Sequence, residues 1–403
     1  MKIILTSITR IYQIAVIIAI PIYSILSAGC TKDSFLEAGT NTFQIPDNTH
    51  PESQTFQSLI DKYVQKGVPG ISLYINSPVD GFFMGTSGFA CIETGEIMSK
   101  TSIHYSASIS KVFIAILILK LQEEGKLNIE EGIDNYLSSE ICSNIKYSED
   151  IRVRDLLNHT SGIYDYTYSA ALNLAFLDKG FKGFSTHDFL EAMYKGEPFF
   201  KSGEDFFYSN SNYMLLALII DNITGNHANY LQETIIVPLD LTTTFYKQDP
   251  RYPGVEGLVN TYMEKGENKI INVSYWQQNL IIPTIGDAGL LFSLTDCASF
   301  FNTLFTGNML NPSSMEILLD GVQDPTDENT QYGAGVWIYK EKYGGTWWGH
   351  GGSDLGSTIA AAFFPESGTI IIITANIGTY YYSELGELVR NDLWNEILEV
   401  EFK

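Results

Sequence analysis

The chain has 403 residues, with 47 Asp and Glu against 24 Lys and Arg, a formal charge of −23. Phosphate backbones and anionic lipid surfaces require a basic face, so neither nucleic acid nor acidic membrane is expected as the main partner. A composition 45% hydrophobic and 13% aromatic excludes disorder for most of the chain, and the length supports a large core in one or two domains.

Residues 1–30 read as a targeting segment. Lys2 and Arg10 are their only charges, and an apolar run follows from Ile11 to Ala28. A positive start, an apolar stretch and small residues form the pattern of a secretory signal. The small residues before Cys30 resemble a bacterial lipoprotein signal, in which that cysteine carries the lipid. Leu26 stands one place further from Cys30 than the usual pattern has it. An uncleaved anchor is the alternative, since 18 residues is near the lower limit for a span. Either way the protein is expected to be exported and membrane-tethered, through lipid or anchor. Residues 31–52 are rich in Thr, Asn, Asp, Ser and Pro and read as a flexible tether. Besides Cys30 there are Cys91, Cys142 and Cys297, enough for one disulfide at most, with no metal-binding spacing. No metal or cofactor is expected.

From residue 53 to 403 a single domain is expected. Helical spacing over 54–66 places Phe56, Leu59, Ile60 and Tyr63 on one stripe. Ile71–Asn76 and Gly81–Gly85 read as strands around a turn. Helical segments dominate from about 108 to 300. Strands return at Ala334–Tyr339, Ser357–Phe364 and Thr369–Ala375, and a last helix runs from Ser383 to Leu398. The fold class is therefore α/β (α+β): an antiparallel sheet built from both ends of the chain and flanked by helices. Its sheet lobe covers about 53–110 and 325–403, and an inserted helical lobe about 111–324.

Ser108-Ile109-Ser110-Lys111 leads into an apolar run that reads as a buried helix closed by Gly125. Ser108 and Lys111 then lie one turn apart on one face. A buried lysine is pushed toward its neutral form and can take a serine proton. Alone, the pair is also what an ordinary capped helix looks like. A second match, Ser143 to Lys146, lies in a polar stretch. Tyr208-Ser209-Asn210 precedes another helical run, and His350-Gly351-Gly352-Ser353 follows Trp347-Trp348-Gly349 near a strand. Glycines there let a substrate approach a strand edge.

Ser-x-x-Lys, Tyr-x-Asn and His-x-Gly in that order resemble the penicillin-recognising serine hydrolases, in particular the group of class C β-lactamases, D-Ala-D-Ala carboxypeptidases and related esterases. Asp155–Gly162 is similar to that group's Leu-Leu-x-His-Thr-Ser-Gly segment. Pro238–Leu241 is similar to its Pro-Leu-Gly-Met turn, with Asp240 and Leu241 departing, and Ala288–Asp296 to its Gly-Gly-Leu-x-Ser-Thr-x-x-Asp helix entry. The likeness runs from about 54 to 400.

The resemblance implies Ser108 as nucleophile and Lys111 as its proton acceptor. Tyr208 would be a general acid/base with a pKa depressed by Lys111, and Asn210 would orient the substrate amide or the lysine. The backbone N–H groups of Ser108 and Ser353 would form an oxyanion hole, with Gly351 and Gly352 beside the substrate. His350 stands where the β-lactamases carry lysine. Histidine is largely neutral at pH 7, which favours esters, D-amino-acid amides and peptides over carboxylate-bearing β-lactams. His159 is expected to be structural. Loops 162–182 and 250–285 are expected to wall the pocket, with Trp276, Trp337, Trp347 and Trp348 as candidate lining. The implied activity is a D-Ala-D-Ala carboxypeptidase-like peptidase or an esterase on a small peptide, ester or amide. A genuine β-lactamase and a catalytically silent surface protein are the alternatives. The sequence is silent on oligomeric state.

Overall fold

Thr369–Ala375 is buried at every position, and so is most of Gly70–Ser77. Buried on both faces, these strands must lie in the middle of a covered sheet. A computed structural model of the protein describes residues 45–265, 269–379 and 383–403. The expected signal, its Cys30 and tether residues 31–44 lie outside these. No helix among the described residues is long and apolar enough to cross a membrane.

The strands of the main sheet, in chain order, are β1 (Gly70–Ser77), β2 (Gly81–Cys91), β3 (Glu96–Ile97), β4 (Val322–Gln323), β5 (Thr330–Tyr332), β6 (Trp337–Lys340), β7 (Thr346–Ser353), β8 (Thr358–Phe364) and β9 (Thr369–Ala375). Their spatial order is β3-β2-β1-β9-β8-β7-β6-β5-β4. All the sheet's ladders among the described residues are antiparallel, and β1 pairs with β9 from Ile71 opposite Ala375 to Asn76 opposite Ile370. The two chain ends thus build one sheet, as expected. Side chains alternate across it. Trp347, Ile371 and Ile373 join a core with Phe56 and Ile60 of α1 (Ser53–Gln65) and with Trp394 and Ile397 of the C-terminal helix. Trp348 and Phe363 face the other way, toward Phe305.

Between β3 and β4 run α2 (Ser110–Glu123), α3 (Asn210–Thr224) and α4 (Leu294–Thr306) among shorter helices. Every residue of α2 from Ser110 to Leu119 is buried, as its all-round apolar sequence predicts. Three differences from the sequence reading stand out. The 111–324 stretch also holds short strands, including Leu291–Phe292 between His104–Tyr105 and Thr244–Phe245, and α4 lies on the sheet. The final helix contains a wider π-helical segment, Leu388–Leu393, before Trp394–Phe402. The end of the expected tether is packed rather than loose. Thr49 and His50 both donate backbone N–H groups to Phe82 O. The His50 ring is buried and faces the Glu401 carboxylate at 3.0 Å. Cys91, Cys142 and Cys297 are free and buried.

Candidate active site

Ser108 sits in a single 3₁₀ turn, Ala107–Ile109, that runs straight into α2. Ala107 has φ of +44°, an uncommon conformation for a residue with a side chain. The pairing of β6 with β7 ends at Gly349. From His350 to Ser353, β7 is therefore bonded to β8 alone, and its other edge faces the 3₁₀ turn. A Cβ on Gly352 would stand 2.7 Å from Ala107 Cβ and 2.8 Å from the Ser108 nitrogen. Glycine at 352 is what lets the strand edge approach the Ser108 backbone.

Lys111, one turn along α2, is 0% exposed. Its Nζ lies 3.0 Å from Ser108 Oγ, 2.8 Å from Asn210 Oδ1 and 2.9 Å from the backbone oxygen of Asp287. All three are neutral acceptors. A neutral amine keeps two N–H donors and one lone pair. Of the three partners only the Ser108 hydroxyl can reverse and donate, so the lone pair faces Ser108. Burial lowers the Lys111 pKa to about 8, against the pull of the Asp287, Asp165 and Asp354 charges. Asn210 is held by Asp165, whose Oδ2 accepts from its backbone N at 3.2 Å and its Nδ2 at 2.9 Å. That fixes which way the amide points, with Oδ1 toward Lys111 Nζ.

Tyr208 comes to the same place, and one expectation changes here. Its pKa is raised well above 10, not depressed: burial is the largest cause, and the contact with Ser108 is the main opposing influence. Lys111 Nζ lies over the ring face, 5.0 Å from its centroid, and so cannot offset the lost hydration of a phenolate. Tyr208 is therefore a phenol in the resting site, a proton donor first. His350 is 1% exposed. Burial and the nearby Lys111 push its pKa down to about 3. Its Nδ1 meets the Gly351 carbonyl oxygen and its Nε2 faces the Tyr332 hydroxyl at 3.2 Å. That is the neutral Nδ1–H tautomer, both nitrogens engaged within the protein. This arrangement disfavours a histidine cation for a substrate carboxylate.

His159 packs 4.4 Å from Tyr208 and 4.6 Å from Tyr332, and its Nδ1 contacts Ser209 N and Asn212 Nδ2. It supports the tyrosine from behind. The other Ser-x-x-Lys ends on the surface, where Lys146 pairs with Glu197. Sequence reading missed Asp165, Asp287, Asp354 and Tyr332. The first follows the His-Thr-Ser-Gly segment and the second precedes Ala288-Gly289, so both adjoin quoted motifs. Burial drives the carboxyls up, to about 6 for Asp287 and about 7 for Asp354, which also feels the Asp287 charge. Tyr166 donates its hydroxyl to Asp287 Oδ2 at 2.6 Å.

A cavity of about 500 Å³ opens beside Ser108, Tyr208 and Ser353. Its walls are β6 to β8 and the C-terminal helix, not loops 162–182 and 250–285 as expected. Trp337 and Trp347 line it. Trp276 packs on Phe181, and Trp348 lies on the opposite face of the sheet.

The beta-lactamase family model matches residues 56–387. The chain belongs to the beta-lactamase family. Among its relatives, Protein flp of Staphylococcus aureus (strain NCTC 8325 / PS 47) is 31% identical over 50% of this chain and 39% of its own length. Penicillin-binding protein 4* of Bacillus subtilis (strain 168) is 24% identical over 71% of this chain and 64% of its own. The chain thus spans less than two thirds of these curated relatives. A D-stereospecific amidohydrolase from Streptomyces sp. superposes with a TM-score of 0.71 at 26% identity, covering 81% of this chain and 94% of its own. The D-amino acid amidase of Ochrobactrum anthropi SV3 shares the fold, with a TM-score of 0.74 at 20% identity over 86% and 98%. Within the beta-lactamase family this chain departs at the Pro-Leu-Gly-Met turn, where Asp240 takes φ of +52°, a conformation glycine adopts freely.

Proposed function

We propose that this member of the beta-lactamase family is a serine hydrolase that cleaves small amides, esters or peptides through an acyl-enzyme on Ser108. The observation that carries the reading is the 3.0 Å contact between Lys111 Nζ and Ser108 Oγ at the start of a buried helix. Lys111 takes the hydroxyl proton as Ser108 Oγ bonds to the substrate carbonyl carbon. The Tyr208 phenol gives a proton to the departing nitrogen or oxygen. Water then attacks the acyl-enzyme and releases the acid. The neutral His350 supports substrates without a carboxylate at its position, so D-amino-acid amides and esters rank ahead of D-Ala-D-Ala peptides and penicillins. The signal-like sequence of residues 1–30 supports an exported location for this activity.

A turnover panel tests the preference. Neutral esters and D-aminoacyl amides should show kcat/KM at least tenfold above D-Ala-D-Ala peptides and penicillins matched in acyl group. A preference for the carboxylate-bearing compounds overturns the substrate assignment.

A further inference from the structure

The cavity beside Ser108 is larger than the catalytic groups need, and its walls have a definite chemistry. One wall is a run of rings that begins at the proton donor. Trp337 stacks on Tyr208 at 5.8 Å and 9°, and Tyr339 follows at 5.6 Å. Trp347 stacks on Tyr339 at 4.4 Å, and Trp394 of the C-terminal helix closes the run at 5.9 Å. Beyond Trp347, the same strand is stripped of side chains at 349, 351 and 352. A Cβ on Gly349 would stand 2.0 Å from Ala361 O and one on Gly352 would strike the 3₁₀ turn, so close packing demands those two glycines. A Cβ on Gly351 would meet a single atom, Ile359 O, at 3.6 Å. Nothing crowds it, and the missing side chain leaves open volume beside Ala360, which also lines the cavity.

The charged groups in the walls are engaged. Glu341 accepts from both indole N–H groups, Trp347 Nε1 at 3.2 Å and Trp394 Nε1 at 3.4 Å. Arg390, on the π-helical segment, pairs with Glu387 at 3.6 Å. Trp347 and Trp394 are buried with their polar edges satisfied, and the half-buried Trp337 and Tyr339 are the rings left to face a ligand. About 500 Å³ is ample for a two-ring group, and aromatic faces favour another ring in offset or edge contact.

We propose that this cavity is the leaving-group subsite and takes a bulky, uncharged aromatic amine or alcohol. The proposal rests on the acyl-enzyme reading above. The run of rings starts at Tyr208, the group that protonates the departing atom as its bond to the carbonyl carbon breaks. The part of the substrate next to Tyr208 is the part that leaves, and the aromatic wall continues from there.

The test uses the protein with acetyl esters of methanol, benzyl alcohol and naphthylmethanol, which share one acyl group. The acylation kcat/KM should rise at least tenfold from methyl to naphthylmethyl. Deacylation, read in single turnover, should stay the same along the series because the leaving group has gone. Ala360→Phe, which fills the cavity, should bring the naphthylmethyl-to-methyl ratio close to one. Labelling of Ser108 by a small fluorophosphonate reports that the variant is folded. A wild-type ratio near one, or a gain that survives in Ala360→Phe, overturns the subsite. A wild-type Ser108 that never labels removes instead the acyl-enzyme reading beneath it.

Discussion

Lys111 Nζ has three neutral acceptors within 3.0 Å, while the nearby carboxylates act on it through space. Its pKa of about 8 fixes the direction of the pH dependence. Below that value the group is an ammonium and cannot accept the Ser108 proton. Above it the free amine can. Acylation kcat/KM for an uncharged ester should therefore rise with pH and level off above about 8. Asp287→Asn removes a negative charge beside Lys111, favours the free amine and should shift the limb to lower pH. His350, at about 3, adds no limb between pH 5 and 8. A flat wild-type profile from pH 6 to 9 would contradict this assignment. Ser108, Lys111 and Asn210 were legible because motif spacing carries them. The Tyr208 shift was not, because the sequence shows that a cation is nearby but not that it sits over the ring face in a dry site. Asp165 lies 45 positions from Asn210 and Asp287 lies 121 from Tyr166, too far for spacing to reveal.

At the scale of elements, β7 and the 3₁₀ turn hold the site together through Gly352. Gly352→Ala puts a methyl 2.8 Å from the Ser108 nitrogen and 2.7 Å from Ala107 Cβ, so turn and strand must part. A displacement near 1 Å in a catalytic constellation costs on the order of 100-fold in rate. The kcat of Gly352→Ala should fall by about 10- to 100-fold while circular dichroism remains native, and an unchanged kcat would show that the close approach is not needed. Strand reading worked where apolar runs were long: Thr369–Ala375 is found as expected, and Ser357–Phe364 begins one residue later. Ala334–Tyr339 is found as Trp337–Lys340 because Gly335, at φ of +83°, is spent on the turn before it. Pairs such as His104–Tyr105 are too short to carry a period. The π-helical segment was also hidden, since its pattern reads as ordinary helix.

Over the whole molecule, the two chain ends form the sheet and the central residues supply Tyr208, Asn210 and Asp287. The site exists only where these parts meet. Composition excluded nucleic acid as the expected partner but could not report that Asp165, Asp287 and Asp354 surround Lys111, since the sign of a buried site is set by folding. The family was legible because its motifs keep their order across most of the chain. The cavity was not, because its walls come from β6 to β8 and the last helix. The central claim is that Lys111 activates Ser108 for acylation. Intact-mass measurement after exposure to a fluorophosphonate tests it most directly. The wild type should gain one adduct, mapped to Ser108. Ser108→Ala should gain none, and Lys111→Ala should label at least 100-fold more slowly. An adduct on another residue, or labelling of Lys111→Ala at the wild-type rate, would contradict the account.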